Sequence, residues 1–337
     1  MEKSVPWFIL KNLIRMAVLL LLVSAAAFFL VSASPLDPLK TNVGQTALGS
    51  MSQEQIAKLE EYWGMNTPPV ERFVSWAKDF FRGDMGTSLL YRQPVSHVIS
   101  VKLKDSLWLM GTAWLISGAA GLLLGGGGGG DSPAGANRGK TVDKVITGYA
   151  LVTASTPAFW LALVLLMIFA VWLKVLPIGF SVPIGVEAAG VTVSDRIAHG
   201  ILPALTLSIT GLSNIILHTR EKMAEAMESD YVLFAKARGE SGGQIILRHG
   251  LRNIILPAMT LQFASISEIF GGSVLVEQVF SYPGIGQAAV TAGLGGDVPL
   301  LLGITVISAA IVFAGNFTAN VLYGVVDPRI RRGRAKA

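Results

Sequence analysis

The sequence predicts an all-α polytopic membrane protein with six transmembrane helices, on the strength of its composition, its charge segregation and its basic-residue distribution. Hydrophobic residues make up 52% of the 337 residues and charged residues only 15%, against about 25% charged in soluble domains. The charges leave uncharged runs of the ~20 residues that a helix needs to cross a bilayer. These runs, one of which is interrupted only by Glu268, are 16–36, 106–130, 145–173, 197–219, 253–276 and 298–326.

Six spans place both termini on the same side of the membrane, and lysine and arginine indicate which side. With a cytoplasmic N-terminus, 17 of the 27 basic residues face the cytoplasm. We therefore expect residues 1–15 and the basic tail 327–337 inside, and residues 37–105 outside. A nucleic-acid partner is a poor explanation for the basic residues, which are scattered over several loops without interleaved aromatic residues.

The first hydrophobic run could instead be a cleaved signal peptide, because small residues suited to a cleavage site occur at 32–34. Its apolar core is longer than the 7 to 15 residues of a signal peptide, and Pro35 follows at once. We expect a retained first span. The chain has no cysteine, which excludes disulfides and thiolate metal sites.

The extracytoplasmic segment 37–105 contains two predicted amphipathic helices that pack on the outer ends of the spans. Ser52 is a candidate N-cap for the first, and aromatic residues at helical spacing mark the second, from Phe73 to Phe80. The turn 83–88 has two interpretations, a structural lid or a docking site for a receptor protein.

Six consecutive glycines, 125–130, close the second span. A glycine costs a helix ~1 kcal/mol relative to alanine, so the helix is predicted to stop near Leu124. The run is either a flexible exit into the cytoplasmic loop or a functional hinge. The following segment 134–141 fits a loosened phosphate-loop pattern, but no strand precedes it, as such a loop requires. ATP would therefore be hydrolysed by a separate subunit.

The polar stretch 220–252, between two hydrophobic runs, is the most informative segment. A helix that carries charges from Glu221 to Arg238, ends at Gly239 and restarts before Pro257 has no reason to lie in lipid. We expect it in the cytoplasm, in contact with another protein.

This stretch resembles the docking loop of ABC importer permeases, with small residues at Ala235, Ala237 and Gly239. The interval from Gly239 to Pro257 is similar to that of the dipeptide, oligopeptide and nickel branch. Further matches to this family extend from about Leu13 to Arg331. They include 155–160, 199–203, 271–272, 283–286, 297–299, Asn316 and 327–331.

The resemblance implies an ABC type I importer permease of the bacterial inner membrane. Its partners would be a second, homologous permease subunit, two ABC ATPase subunits and an extracytoplasmic substrate-binding protein. ATP and Mg would belong to the ATPases, leaving this chain with no cofactor and no catalytic residue. The expected cargo is a di- or oligopeptide, with nickel or another metal chelate as the alternative. The residues expected to couple to the ATPase are Asp230, Tyr231, Ala235, Lys236, Ala237, Arg238 and Gly239.

The candidate translocation path consists of residues that break a span, allow close packing or place charge in the membrane. Glu268 must be paired or face water in such a position, so it either contacts a cationic group of the cargo or anchors one subunit to another. The other residues could either line the path or serve ordinary helix packing, and the sequence favours neither role. The path residues are Pro157, Phe159, Trp160, Glu268, Gly271 and Gly272.

Two other classes compete with an importer permease. A secondary transporter would need intramembrane ionisable residues and inverted repeats; Glu268 is one such residue, but no repeat is visible. A membrane scaffold without transport is the other. The four histidines lack metal-ligand spacing, so we expect no metal site.

Overall fold

The computed structural model describes residues 5–33, 38–62, 66–126, 141–186 and 190–326, which are mostly helical. Within these ranges the only extended pairing is an isolated bridge between Thr87 and Pro94. The first helices are α1 (Val5–Ser32), α2 (Pro38–Val43), α3 (Gln45–Ser50), α4 (Gln53–Tyr62), α5 (Pro69–Phe81), α6 (Val95–Gly126), α7 (Thr141–Ala154) and α8 (Ala158–Leu165).

The second half continues the all-helical pattern. A π-helical segment, Leu166–Trp172, follows α8, and another, Ile246–Gly250, joins α11 to α12. The remaining helices are α9 (Val193–Met227), α10 (Asp230–Ala237), α11 (Gly242–Ile245), α12 (Leu251–Ala264), α13 (Ile266–Val279), α14 (Ile285–Gly295) and α15 (Val298–Val326).

Among the described residues, four helices are long and apolar enough to cross a membrane: Leu10–Ser32 within α1, all of α6, all of α9, and Val298–Leu322 within α15. Two bent helix pairs raise the number to six when each pair counts as one span. The all-α polytopic fold is therefore confirmed. Several helices extend past the hydrophobic runs, as α6 does from Val95, because charged residues outside the apolar stretch are still good helix formers.

The third predicted span is not one continuous helix. α7 and the segment from Ala158 to Trp172 are bent by 107°, and Pro157 is the N-cap of α8. Proline has no N–H to donate and its ring restricts the residue before it, so the helix ends before Pro157 and restarts after it. A smaller bend of 45° separates Gly242–Ala264 from Ile266–Val279.

The chain divides into two compact units, and the first contains Leu107–Tyr282 together with the chain from Ala314. One core cluster in this unit includes Leu109, Leu202, Leu207, Val276 and Phe280. These side chains come from α6, α9, α13 and the residue that follows α13, so helices distant in sequence are packed into one core.

The glycine run does not end the second span at Leu124, because α6 continues through Gly125 and Gly126. A Cβ on Gly125 would clash with Thr219, and one on Gly126 with Ile254. The two glycines therefore allow α6 to approach α9 and α12 closely, which compensates their low helix propensity. Residues 127–130 and the segment 134–140 lie outside the described residues.

The second unit contains Lys3–Ser106 and Pro283–Phe313. Phe28 of α1 packs with Val298 and Leu302 of α15, and Phe73 and Trp76 of α5 cover this cluster. The predicted packing of an amphipathic helix on spans is thus found for α5. The predicted cap at Ser52 is also present, since its Oγ accepts a hydrogen bond from the Gln55 N–H at 3.3 Å.

The turn 83–88 is tied to the start of α15 within this unit. The Ser88 hydroxyl donates to a carboxylate oxygen of the fully buried Asp297 at 2.6 Å, and the Leu300 N–H donates to the other oxygen at 3.2 Å. Asp297 thereby caps α15 and holds the turn. These contacts support the structural interpretation of the turn.

Candidate coupling surface and transmembrane cavity

The stretch from Glu221 to Arg238, which the sequence predicted as one helix, is divided between two helices. α9 ends at Met227, and α10 begins at Asp230 after an extended Ser229 with φ of −78° and ψ of 155°. Serine favours an extended N-cap conformation, and Asp230 in the first turn is favourable to the helix dipole. Because the helix is interrupted between Met227 and Asp230, α10 does not have to continue along the axis of α9.

The turn after α10 is closed by Gly239, as the sequence predicts. Its φ is 79°, in the left-handed region that glycine adopts without strain. The Gly239 N–H donates to the Lys236 carbonyl at 3.0 Å, and the Glu240 N–H donates to the Ala235 carbonyl at 3.1 Å. This pair of hydrogen bonds is a Schellman motif.

Ala235 cannot present its side chain to a partner, contrary to the expectation for a coupling residue. It is fully buried in a cluster with Val232 and Ile245, packed against Met227. A small residue is needed here because it lets α10 lie against α11. Its contribution to a coupling surface can only be to position the helix.

The side chains that α10 does expose include two that the sequence reading missed. Leu233 is 66% exposed and Phe234 is 72% exposed, beside Tyr231 at 43%. Helical periodicity could have found them: if Val232 and Ala235 face inward, the two residues between them face outward. Exposed too are Asp230, Lys236, Ala237 and Arg238. We call Tyr231, Leu233 and Phe234 the α10 patch.

A polar network fixes the turn behind the α10 patch. Glu240 accepts hydrogen bonds from Arg238 at 2.5 Å and from His249 Nε2 at 3.1 Å. Partial burial raises the pKa of Glu240, but the hydrogen bonds from His249 and Arg238 outweigh it and hold this pKa below its usual value. The Asn253 amide donates to the Tyr231 hydroxyl at 2.9 Å. His249 thus has a structural contact here.

An ion pair that the sequence did not predict joins α7 to α9. The Arg220 guanidinium binds both carboxylate oxygens of Asp143, with Nη2 to Oδ2 at 2.7 Å. The Asp143 side chain is almost completely buried and Arg220 is partly buried. Bidentate arginine–carboxylate pairs are geometrically specific, so this pair fixes the position of α7 on α9.

A cavity of about 200 Å³ lies between α7, α8, α9 and α13 in the first unit. Glu268 lines it and accepts a hydrogen bond from the Asn214 amide at 3.2 Å. The remaining lining consists of small, hydroxylic and two aliphatic side chains: Thr153, Ala154, Thr156, Ala158, Leu207, Thr210, Gly211, Ser213, Ile269 and Gly272.

Only part of the predicted path lines this cavity. Glu268 and Gly272 do, whereas Phe159 and Trp160 are exposed. Pro157 lies between two lining residues. The close helix approach expected at 271–272 is not found at Gly271, where an added Cβ would meet no atom within 4 Å in the described chain. A Cβ added to Gly272 would lie 3.5 Å from Leu207, which is an ordinary van der Waals contact.

Glu268 is also not the only acid in its bent helix pair. α13 continues to Val279 and therefore includes Glu277, which has zero exposure. The hydrophobic run ended at Val276, so the sequence reading placed Glu277 just outside the span. Helix length, which hydropathy alone did not define, accounts for the difference.

Comparisons with known proteins agree with this architecture. Residues 119–332 match the family of binding-protein-dependent transport system inner membrane components, and residues 6–97 match the N-terminal domain of such membrane components. The oligopeptide transport system permease protein AppB of Bacillus subtilis (strain 168) is 33% identical, over 96% of this chain and 98% of that protein.

Two further relatives cover the chain to the same extent. The probable peptide ABC transporter permease protein y4tP of Sinorhizobium fredii is 29% identical over 96% of this chain and 99% of its own length. The putative peptide transport system permease protein BAB2_1050 of Brucella abortus is 30% identical over 96% of this chain and 98% of its own length. The chain belongs to the family of inner-membrane components of binding-protein-dependent transport systems, the permease subunits of ABC importers.

Proposed function

We propose that this chain forms half of the translocation pathway of an ATP-driven importer of di- or oligopeptides. The similar proteins named above are described as oligopeptide or peptide permeases, which supports this cargo over nickel or another metal chelate. The observation that carries the coupling part of the proposal is the α10 patch. Its apolar side chains are exposed on a short helix between two candidate spans.

The proposed partners are a second, homologous permease, two ABC ATPases and an extracytoplasmic substrate-binding protein. Exposed apolar residues on an otherwise polar segment indicate a protein partner, and aromatic residues are frequent at the centre of interfaces. Phe234 and Leu233 are the anchors in this proposal, with Lys236 and Arg238 beside them. This chain hydrolyses no ATP; ATP and Mg bind to the partner subunits.

Movement of α10 would be transmitted to the spans by packing. Val232 and Ala235 pack against Ile245 of α11, and the next residue, Ile246, packs against Met223 of α9 and Ile254 of α12. Close-packed side chains transmit displacement because they have little compressible space. Closure of the ATPases would thus shift α9 and α12, and the permease pair would alternate between inward-facing and outward-facing states.

The proposed path runs along the face that carries Pro157, Phe159, Trp160, Glu268, Gly271 and Gly272. The helix break at Pro157 is one support, because irregular backbone at membrane depth is tolerated where it lines a cavity or is buried in protein. The exposure of Phe159 and Trp160 is a second support, since a partner permease could cover them. In this proposal the protein lies in the bacterial inner membrane, with both termini and segment 220–252 in the cytoplasm.

Uptake of labelled peptides tests the function. A host without its own peptide importers would express the complete transporter, with or without this chain, and accumulation of a labelled tripeptide and of nickel would be measured. We expect peptide uptake that requires this chain, and co-purification of the chain with an ABC ATPase. Nickel accumulation without peptide uptake would assign nickel as the cargo in place of peptides. Uptake without any ATPase partner would refute the ATP-driven importer mechanism.

A further inference from the structure

The cavity beside Glu268 has the chemistry of a cation site. Glu268 and Asn214 are exposed, whereas Thr153 and Ser213 are buried, so the cavity has an open end with a carboxylate and a closed end with hydroxyls. An exposed carboxylate on a membrane helix is costly unless it meets water or a cation. The single amide hydrogen bond from Asn214, at 3.2 Å, leaves most of its acceptor capacity free for a ligand.

Two hydroxyl residues in the same cavity lining offer acceptors. The Thr156 hydroxyl donates its hydrogen to the Val152 carbonyl at 2.7 Å, and that of Thr210 donates to the Leu207 carbonyl at 3.0 Å. The only hydroxyl hydrogen of each is thus directed at the backbone, which leaves lone pairs for a donor ligand. A primary ammonium, with one positive charge and three N–H donors, is complementary to this set.

The size of the cavity limits what part of a cargo it holds. The cavity volume is about 200 Å³. This is less than the ~300 to 1,000 Å³ of pockets that enclose drug-sized molecules. The cavity therefore takes one end of a peptide or one side chain rather than a whole oligopeptide.

A bound metal ion fits this cavity less well. Hard cations such as Ca²⁺ take six to eight oxygen ligands, commonly with more than one carboxylate, and Glu268 is the single carboxylate in the lining. Among the described residues, no group of three or more His, Cys, Asp and Glu side chains could hold a metal ion.

We propose that Glu268, together with the Thr156 and Thr210 hydroxyls, binds a primary ammonium group of the cargo during translocation. This inference rests on the proposed peptide importer and adds a specificity site within the permease. The ammonium could be the α-amino group of a peptide or the side chain of a lysine, and the two sources are separated by the choice of peptide.

Binding to the permease–ATPase complex in nanodiscs, without the substrate-binding protein, tests the site. Three peptides are compared: trialanine, N-acetyl-trialanine and N-acetyl-Ala-Ala-Lys amide. We expect wild type to bind trialanine at least tenfold more tightly than N-acetyl-trialanine, which corresponds to about 1.4 kcal/mol. Tight binding of the lysine peptide as well would assign the site to any primary ammonium, and weak binding would restrict it to the α-amino group.

Glu268→Gln should abolish the preference by weakening trialanine alone. Thr210→Val, which keeps the charge, should reduce the preference by a smaller factor, and the matched change Glu71→Gln, on the exposed face of α5, should leave it intact. Equal binding of all three peptides by the wild type, or an unchanged preference in Glu268→Gln, would overturn the site.

Uptake by cells separates the two proposals. If cells import a labelled tripeptide and the Glu268→Gln complex still prefers trialanine as wild type does, the site is wrong and the peptide importer stands. If cells that express the wild-type transporter import no peptide, the proposed function fails and the site fails with it.

Discussion

Replacing Gly239 by valine is expected to uncouple the permease without removing it from the membrane. The φ of Gly239 is 79°, and an L-residue pays about 1–2 kcal/mol in the left-handed region, with β-branched residues the least tolerant. A Cβ at this position would meet no heavy atom of the described residues within 4 Å, so the penalty is conformational and no clash with them adds to it. A change of 1–2 kcal/mol lowers the ratio of native to alternative turn conformations by about 5- to 30-fold.

The consequence of losing this turn is local. A negative φ would disrupt the hydrogen bonds from the Gly239 and Glu240 N–H groups and would move the Glu240 carboxylate away from Arg238 and His249. The α10 patch would lose its fixed orientation. The membrane helices would keep their packing, since none of these contacts lies within their cores.

Three measurements in the same cells decide this prediction: membrane abundance of the permease, co-purification of the ATPase and peptide uptake. We expect normal abundance with co-purification and uptake both strongly reduced. Gly239→Asn is the matched control, because asparagine tolerates the left-handed region, and it should retain most of the uptake. Normal uptake by Gly239→Val, or disappearance of the variant from the membrane, would refute the reasoning.

Three further predictions concern the exposed helix, the buried ion pair and the topology. Phe234→Ser should weaken ATPase co-purification and leave membrane abundance unchanged, while Val70→Ser, also at an exposed apolar residue but on α5, should be neutral; equal effects of the two would argue against the α10 patch. Asp143→Asn should lower the melting temperature of the purified complex, because it leaves the partly buried Arg220 guanidinium without its charge partner at a cost of about 2 kcal/mol; an unchanged melting temperature contradicts this. A cysteine introduced at Ser52, but not one at Ala237, should react with an impermeant thiol reagent in intact cells, and the native chain has no cysteine to interfere; the reverse pattern would invert the orientation.

The sequence could predict features that depend on neighbouring residues alone. Uncharged runs indicated the spans because bilayer thickness sets their length. The turn at Gly239 was predictable because its backbone conformation is a property of glycine itself. Pro157 was expected to disturb its span for the same local reason, although the size of the 107° bend was not.

Contacts between segments far apart in the chain could not be predicted from the sequence. The hydrogen bond between Ser88 and Asp297 and the ion pair between Asp143 and Arg220 join residues 209 and 77 positions apart. Neither contact has a local sequence pattern, because the sequence around a serine, an aspartate or an arginine does not show whether its side chain faces water or a partner. The end of α6 was misjudged for a similar reason, because the low helix propensity of Gly125 is outweighed by packing against Thr219.

The sequence by itself determined the fold class, the family and the position of the polar segment 220–252, because hydropathy, charge and motif spacing are properties of the chain as written. Only the tertiary structure decided that Ala235 is buried while Phe234 is exposed, and that Glu268 shares a cavity with Thr156 and Thr210. Burial and proximity depend on which helix faces pack together, and that is settled by the three-dimensional packing of helices that are remote from one another in the sequence.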